Sequence, residues 1–351
     1  MNAEPPWLPL AAGPDPRDLA LRVAWWRARE AALRSAPPEL RALALAAPSR
    51  RAGPDAPGEP PRALPAGVHE LLEPWLPWEL LRRELQALLA RWFQPAVLSG
   101  EAALDQGELA RARSWLDARR RLRTLRQVAG PAALLEALAE PDLAWRLLCE
   151  DAAPPAQGAA LGRYAARLRA LAARLAPAPV LRAWDVGAAT GEGTWALAAA
   201  LLEAGAEQVE LQGSDQGPLL VAMATRAARP HDPRAAAALR AFLAARPALR
   251  DPARARVAFL RHDVRQGPLG AGLDLVTCHG LLGEGLATRQ DVAAALRACA
   301  AALRPGGLLS LADRFRQDRA RAAREWTHEL APGLGLTPTG EAGVWEKADR
   351  T

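Results

Sequence analysis

The stretch Ala183-Trp-Asp-Val-Gly-Ala-Ala-Thr-Gly-Glu-Gly-Thr-Trp195 constrains the fold more than any other part of the chain. An apolar run, Pro179-Val-Leu-Arg-Ala-Trp, leads into it, and an alanine- and leucine-rich run, Ala196 to Ala204, leads out. That order reads as strand, glycine-rich turn and helix. The glycines let the backbone approach a ligand, and the start of the helix presents unpaired N–H groups. Asp185 stands at the strand end, two residues before Gly187. A carboxylate there suits a ligand with hydroxyls or an ammonium group better than one led by a pyrophosphate.

Strand and helix patterns keep alternating downstream, which predicts an α/β domain: a parallel, Rossmann-like sheet with helices on both faces. Strands are expected at 180–186, 208–214, 256–261, 273–278 and 308–312. Helices are expected at 161–175, 192–204, 217–228, 288–303 and 315–330, with an edge hairpin from 336–338 and 343–347. Residues 229–254 form an arginine-rich insert of helix and loop. Upstream the pattern is all-α. Residues 1–65 are a proline-rich, partly flexible segment with one helix, Asp18 to Ser35, and a linker from Arg50 to Pro65. Residues 66–150 read as a helical, tryptophan-rich domain with helices over Pro77–Phe93, Gln106–Val128 and Pro131–Cys149. A linker at 151–158 then opens the α/β domain, 151–351.

Composition excludes more than it proves. Net charge is +6, and Lys347 is the only lysine, an arginine and alanine bias of the kind a GC-rich bacterial genome produces. Ten arginines lie between Arg226 and Arg265, a solvated surface or a basic rim attractive to an acidic acceptor. The run Arg119-Arg-Arg-Leu-Arg-Thr-Leu-Arg126 reads as a solvated helix face in preference to a binding patch. Eight of the twelve tryptophans fall in residues 1–150, where core packing explains them better than stacking on nucleic acid. Cys149, Cys278 and Cys299 form no CxxC pair, so neither a disulfide framework nor a structural zinc is expected. No secretory leader and no apolar run long enough to span a bilayer is evident, and a cytoplasmic protein with no membrane partner is expected.

In an open parallel sheet the ligand lies beyond the carboxyl ends of the strands. Asp185, Asp215, Asp263 and Cys278-His279-Gly280 fall at such ends. Asp215 is placed to accept two ribose hydroxyls and Asp263 to take an adenine amino group. Gly187, Ala189, Thr190 and Gly191 would lie beneath ribose and methionine, and Glu192 would meet an ammonium. Gly187, Gly191 and Gly193 do not have the spacing of a dinucleotide fingerprint. The ligand these positions favour is S-adenosyl-L-methionine (SAM), the cofactor of class I methyltransferases. His279 is the candidate general base, with Glu284 a further acceptor contact.

Trp184-Asp-Val-Gly-Ala-Ala-Thr-Gly-Glu-Gly-Thr-Trp-Ala-Leu-Ala198 resembles the W-S-A-G-C-A-T-G-E-E-P-Y-S-L-A segment of CheR-type chemotaxis methyltransferases. The resemblance continues through Gly213-Ser-Asp215, Phe259-Leu-Arg-His-Asp-Val264, Asp274-Leu-Val-Thr-Cys278 and Leu303-Arg-Pro-Gly-Gly307. It implies a SAM-dependent methyltransferase and assigns Glu192, Asp215 and Asp263 to the cofactor. Trp195 stands where that family has tyrosine, and Cys278-His279-Gly280 where it has C-R-N. The resemblance therefore carries the cofactor and not the glutamate substrate. The methyl acceptor is unknown, a protein being preferred to RNA or a small molecule. The alternatives are a SAM-binding or protein-interaction module without catalysis and an RNA methyltransferase.

Overall fold

The computed structural model describes residues 13–33, 38, 76–92, 107–152, 160–162, 164–175, 178–281, 286, 288–312 and 317–349. The linker Arg50–Pro65, most of the proline-rich segment and Glu284 lie outside the described residues. The chain divides into two compact units: Met1–Pro155 with Pro230–Asp232, and Ala156–Arg229 with Pro233–Thr351.

The second unit is the expected α/β fold. Its strands are β1 Val180–Val186, β2 Gln208–Asp215, β3 Ala255–Arg261, β4 Leu273–His279, β5 Leu303–Ala312, β6 Leu336–Pro338 and β7 Val344–Lys347. They form one sheet in the order β3-β2-β1-β4-β5-β7-β6. β3, β2, β1, β4 and β5 pair in parallel, while β7 runs antiparallel to both β5 and β6. β5 starts earlier than expected, because Leu303 pairs with Leu273 and a register shift is absorbed before Leu275. Asp274 fixes that region by accepting from the Arg182 N–H at 2.8 Å and from Arg304 Nε at 2.6 Å.

Both faces of the sheet are covered, which is why the central strands are almost continuously apolar. On one face Leu181, Ala183, Val209, Leu211, Leu275 and Leu308 pack against the helices Ala165–Leu175, Glu192–Glu203 and Pro233–Ala244. On the other, Trp184, Val186, Val276, Cys278, Leu309 and Leu311 meet the helices Arg289–Ala302 and Gln317–Leu330. The switch in strand order lies between β1 and β4, which opens a crevice at their carboxyl ends. The insert after Arg226 is helical, as its composition suggests.

The first unit is all-helical in its described parts. Asp15 caps the helix Pro16–Ala32, accepting from the Arg17 N–H at 2.8 Å. Leu81, Leu85, Leu88 and Leu89 bury one face of Trp78–Trp92. Tryptophans act as core pegs here. The indole N–H of Trp26 donates to Glu84 at 2.8 Å, that of Trp78 to the Ala112 carbonyl at 2.7 Å, and that of Trp92 to the Leu138 carbonyl at 2.7 Å.

Two long helices expected in this unit are broken. Gln106–Val128 becomes Glu108–Arg111, Trp115–Arg121 and Arg123–Arg126. The Ser114 hydroxyl starts a new helix by accepting from the Asp117 N–H, with the Asp117 carboxylate accepting from the Arg113 N–H, and the Glu150 carboxylate caps the next by accepting from the N–H groups of Arg123 and Thr124. Pro131–Cys149 splits into Pro131–Ala137 and Pro141–Ala152, because Pro141 has no N–H to continue the ladder. The arginine run is not one solvated face either. Arg119 is buried, and Arg126 donates from Nε to the Arg119 carbonyl at 3.0 Å. All three cysteines are buried.

Candidate functional site

The site is built where β1, β2, β3 and β4 end. The turn after β1 takes left-handed backbone at Gly187 (φ +71°), Ala189 (φ +47°) and Gly191 (φ +87°). A side chain at Gly191 would meet the Phe259 ring at 2.9 Å and Ala224 at 3.0 Å, so this position needs glycine twice over. The turn is pinned to β2 by the Ala188 N–H, which donates to the Ser214 carbonyl at 2.9 Å. The Ala189 N–H donates to Asp215 Oδ2 at 3.1 Å.

Asp215 is thus a hub. Its Oδ1 accepts from the Gly217 N–H at 2.9 Å, and the four acceptor sites of the carboxylate are not exhausted by its backbone donors. Burial raises its pKa, against the pull of these backbone bonds. A cavity of about 50 Å³ opens beside it. Val186, Gly187, Leu281 and Leu286 give the cavity apolar walls, and Asp215, Gln216, His262, Asp263 and Arg265 give it polar ones.

Other expected site residues have different surroundings. Asp185 is buried, and both its oxygens accept hydroxyls: Thr194 at 2.6 Å and Thr277 at 2.8 Å. Burial raises its pKa despite those bonds. It ties β1 to the helix Glu192–Glu203 and to β4, below the turn and not in the open crevice. Glu192, expected as an open carboxylate for an ammonium, is closed. Its Oε1 accepts from Arg229 Nη1 at 2.8 Å and its Oε2 from the Thr190 hydroxyl at 2.5 Å. Thr190, Glu192 and Arg229 are all buried.

Asp263, expected to take a purine amino group, is gripped by Arg265. The guanidinium donates from Nε to Oδ1 at 2.9 Å and from Nη2 to Oδ2 at 2.7 Å. These bonds hold the Asp263 carboxyl below its ordinary range. Cys278 is buried among the side chains of the second face. His279, the expected base, is not among the residues lining the cavity. It lies on the first face, 4.6 Å from the Tyr164 ring, with Nε2 2.9 Å from the Ser310 hydroxyl. Burial and the nearby Arg167 push its pKa down to about 3, so the imidazole is neutral at any physiological pH.

Residue patterns did not reveal Gln216, Arg229, Arg265 or Asp291. Arg265 follows Asp263 by two, a spacing that places a side chain back on an Asx-type cap, and this was the one signal available. Among the described residues no group of three His, Cys, Asp or Glu could hold a metal ion, and no described helix is long and apolar enough to cross a membrane.

No family model matches the chain, and no curated protein is significantly similar to it in sequence. Solved structures do match. The sugar N-methyltransferase KedS8 from Streptoalloteichus sp ATCC 53650 is 20% identical, with 44% of this chain and 49% of that one covered and a TM-score of 0.31. CalS10, a SAM-bound amino pentose methyltransferase from Micromonospora echinaspora, is 25% identical over 45% and 53%, with a TM-score of 0.29. TrmN from Thermus thermophilus is 22% identical over 52% and 48%, with a TM-score of 0.33. The chain spans about half the length of each of these structures.

Proposed function

We propose that the chain is a SAM-dependent methyltransferase. The observation that carries this is Asp215, a half-buried carboxylate at the end of β2 that ties the glycine turn to the cavity wall and keeps acceptor capacity on both oxygens. A ribose diol needs two acceptors at such a place. The reversed β7 within a sheet of order β3-β2-β1-β4-β5-β7-β6 adds the framework, and the glycine spacing disfavours a dinucleotide. The residues present fit the group: apolar walls for a nucleoside, carboxylates for hydroxyls and a positive centre, and, among the described residues, a single arginine, itself paired with Asp263, along the cavity.

When bound, the sulfonium supplies an activated methyl group. The chain's part is to position donor and acceptor. Asp215 would hold the ribose, and the left-handed turn at Gly187–Gly191 would bring backbone close beneath it. The Glu192–Arg229 pair fixes the start of the following helix instead of reaching the ligand. His279 has no assigned proton step here, because its Nε2 faces Ser310. That same closed geometry favours a second reading, a cofactor-binding module without turnover.

Calorimetry with SAM and S-adenosylhomocysteine (SAH) is the first test. Absence of binding for both at high micromolar concentration removes both readings. If they bind, transfer of a labelled methyl group into protein, RNA or small-molecule fractions separates the enzyme from the silent module. The resemblance to chemotaxis methyltransferases makes protein the first fraction to inspect.

A further inference from the structure

The cavity wall contains a cation whose edge is mostly occupied. Arg265 donates from Nε to Asp263 Oδ1 at 2.9 Å and from Nη2 to Asp263 Oδ2 at 2.7 Å. Its Nη1 donates to Asp291 Oδ1 at 3.2 Å and its Nη2 to Gln216 Oε1 at 3.3 Å. Asp291 is itself fixed, because it closes a capping box with Thr288 at the start of the helix Arg289–Ala302. Three elements therefore hold one guanidinium: the ends of β2 and β3 and the helix start.

Guanidinium donors all lie in the plane of the group. Four of its five N–H groups are engaged in that plane and one Nη1 N–H is left at the edge, so the broadest surface Arg265 offers a ligand is its flat face. A flat cation offered face-on prefers the π-system of a planar ring to a phosphate, which wants the donors. The charges agree. Arg265 is surrounded by Asp263 and Asp291, and Asp215 shares the cavity, so the wall carries more negative than positive charge. Asp263 is in turn committed on both oxygens, which makes it a clamp on Arg265.

We propose that Arg265 is the platform on which the purine of the bound nucleoside stacks. Asp263, Asp291 and Gln216 act as positioning residues that hold the platform flat. The site thereby selects an unphosphorylated adenosine derivative over a nucleotide. This inference rests on the cofactor assignment above and deepens it.

The test uses the full-length protein and SAH in calorimetry, with thermal melts to confirm that each variant is folded. Arg265→Met removes the flat cation, Arg265→Lys keeps the charge without the plane, and both are expected to weaken SAH by roughly threefold to thirtyfold. Asp291→Asn lies away from the ligand and is expected to weaken SAH in the wild type but not in the Arg265→Met background. The inosine analogue of SAH, with oxygen in place of the 6-amino group, is expected to bind within about threefold of SAH. Adenosine monophosphate is expected to bind more weakly than adenosine. Wild-type affinity in Arg265→Lys, or equal losses from Asp291→Asn in both backgrounds, overturns the platform. So does an inosine analogue that loses more than about thirtyfold, because Asp263 then reads the amino group. If the unaltered protein binds no SAH, the cofactor assignment itself falls and takes this inference with it.

Discussion

Asp215, half-buried, and Arg229, buried, show how differently two charged groups can serve one turn. Asp215 faces the cavity and retains acceptor capacity, so its loss should be felt by the ligand. Asp215→Ala is expected to weaken SAH binding by about 1–3 kcal/mol, the scale of leaving polar groups unpaired, as calorimetry would read directly. Arg229 faces inward. It neutralises Glu192, and its own Nε has no hydrogen-bond partner among the described residues. Arg229→Ala strands a buried carboxylate and is expected to cost roughly 3–5 kcal/mol of stability in denaturant titration. The added change Glu192→Gln should recover part of that loss. An unaltered unfolding midpoint in Arg229→Ala would show that the pair is dispensable. Gly191→Ala combines a left-handed backbone with a collision against Phe259 and should cost more than about 1 kcal/mol.

The elements divide by how local their causes are. From Val180 onward each strand and helix carries its own apolar pattern, and β7 and β6 are marked by turn residues, so this half of the fold is legible in the sequence. The site was legible to the extent that it follows from strand ends: Asp215 and the glycine turn are where the pattern puts them. Glu192 and Asp263 are at the expected positions, but their partners Arg229 and Arg265 decide what those carboxylates do, and pairing is a tertiary fact. His279 lies on the other face because side chains alternate along β4, so that it shares a side with Thr277 and not with Cys278. In the helical unit some helix starts are local, at Ser114 and Pro141, and others depend on caps supplied far along the chain. Glu150 caps Arg123–Arg126, and Asp151 accepts from the Leu109 N–H at 2.6 Å. Burial pushes Asp151 up to about 7 from an ordinary value of 3.8. Between those values the folded state holds a proton that the unfolded state has lost, so the stabilisation is complete below about pH 4 and lost as pH rises through 7. Asp151→Asn keeps the acceptor and should flatten that slope in the unfolding of the helical unit measured from pH 4 to 8.

At the scale of the whole molecule Asp151 in one unit and His279 in the other are expected to answer acid in opposite directions. The α/β unit contains a neutral His279 with its pKa depressed from 6.5 to about 3. Its contribution is present above pH 6.5 and is lost as pH falls toward 3. Hydrogen exchange, corrected for intrinsic rates and compared with His279→Gln and Asp151→Asn, should show the His279-dependent protection of β4 and β5 falling between pH 6.5 and 4 while the Asp151-dependent protection of the helices it caps rises. Equal and parallel changes in both units would refute these two environments. SAH at a hundred times its dissociation constant should stabilise the cavity-bearing unit by about 2.7 kcal/mol, with the largest protection at residues 187–191, 215–217 and 263–265.

The distribution of sulfur gives a way to watch the units separately. Cys149 lies in the helical unit, and Cys278 and Cys299 lie in the α/β unit. Burial pushes the thiols of Cys149 and Cys299 up to about 12. A thiol that is both covered and protonated reacts with an alkylating reagent only when the chain around it opens. Each unit therefore contains a built-in clock: modification at Cys149 times the opening of the helix Pro141–Ala152, and modification at Cys299 times the opening of the helix Arg289–Ala302.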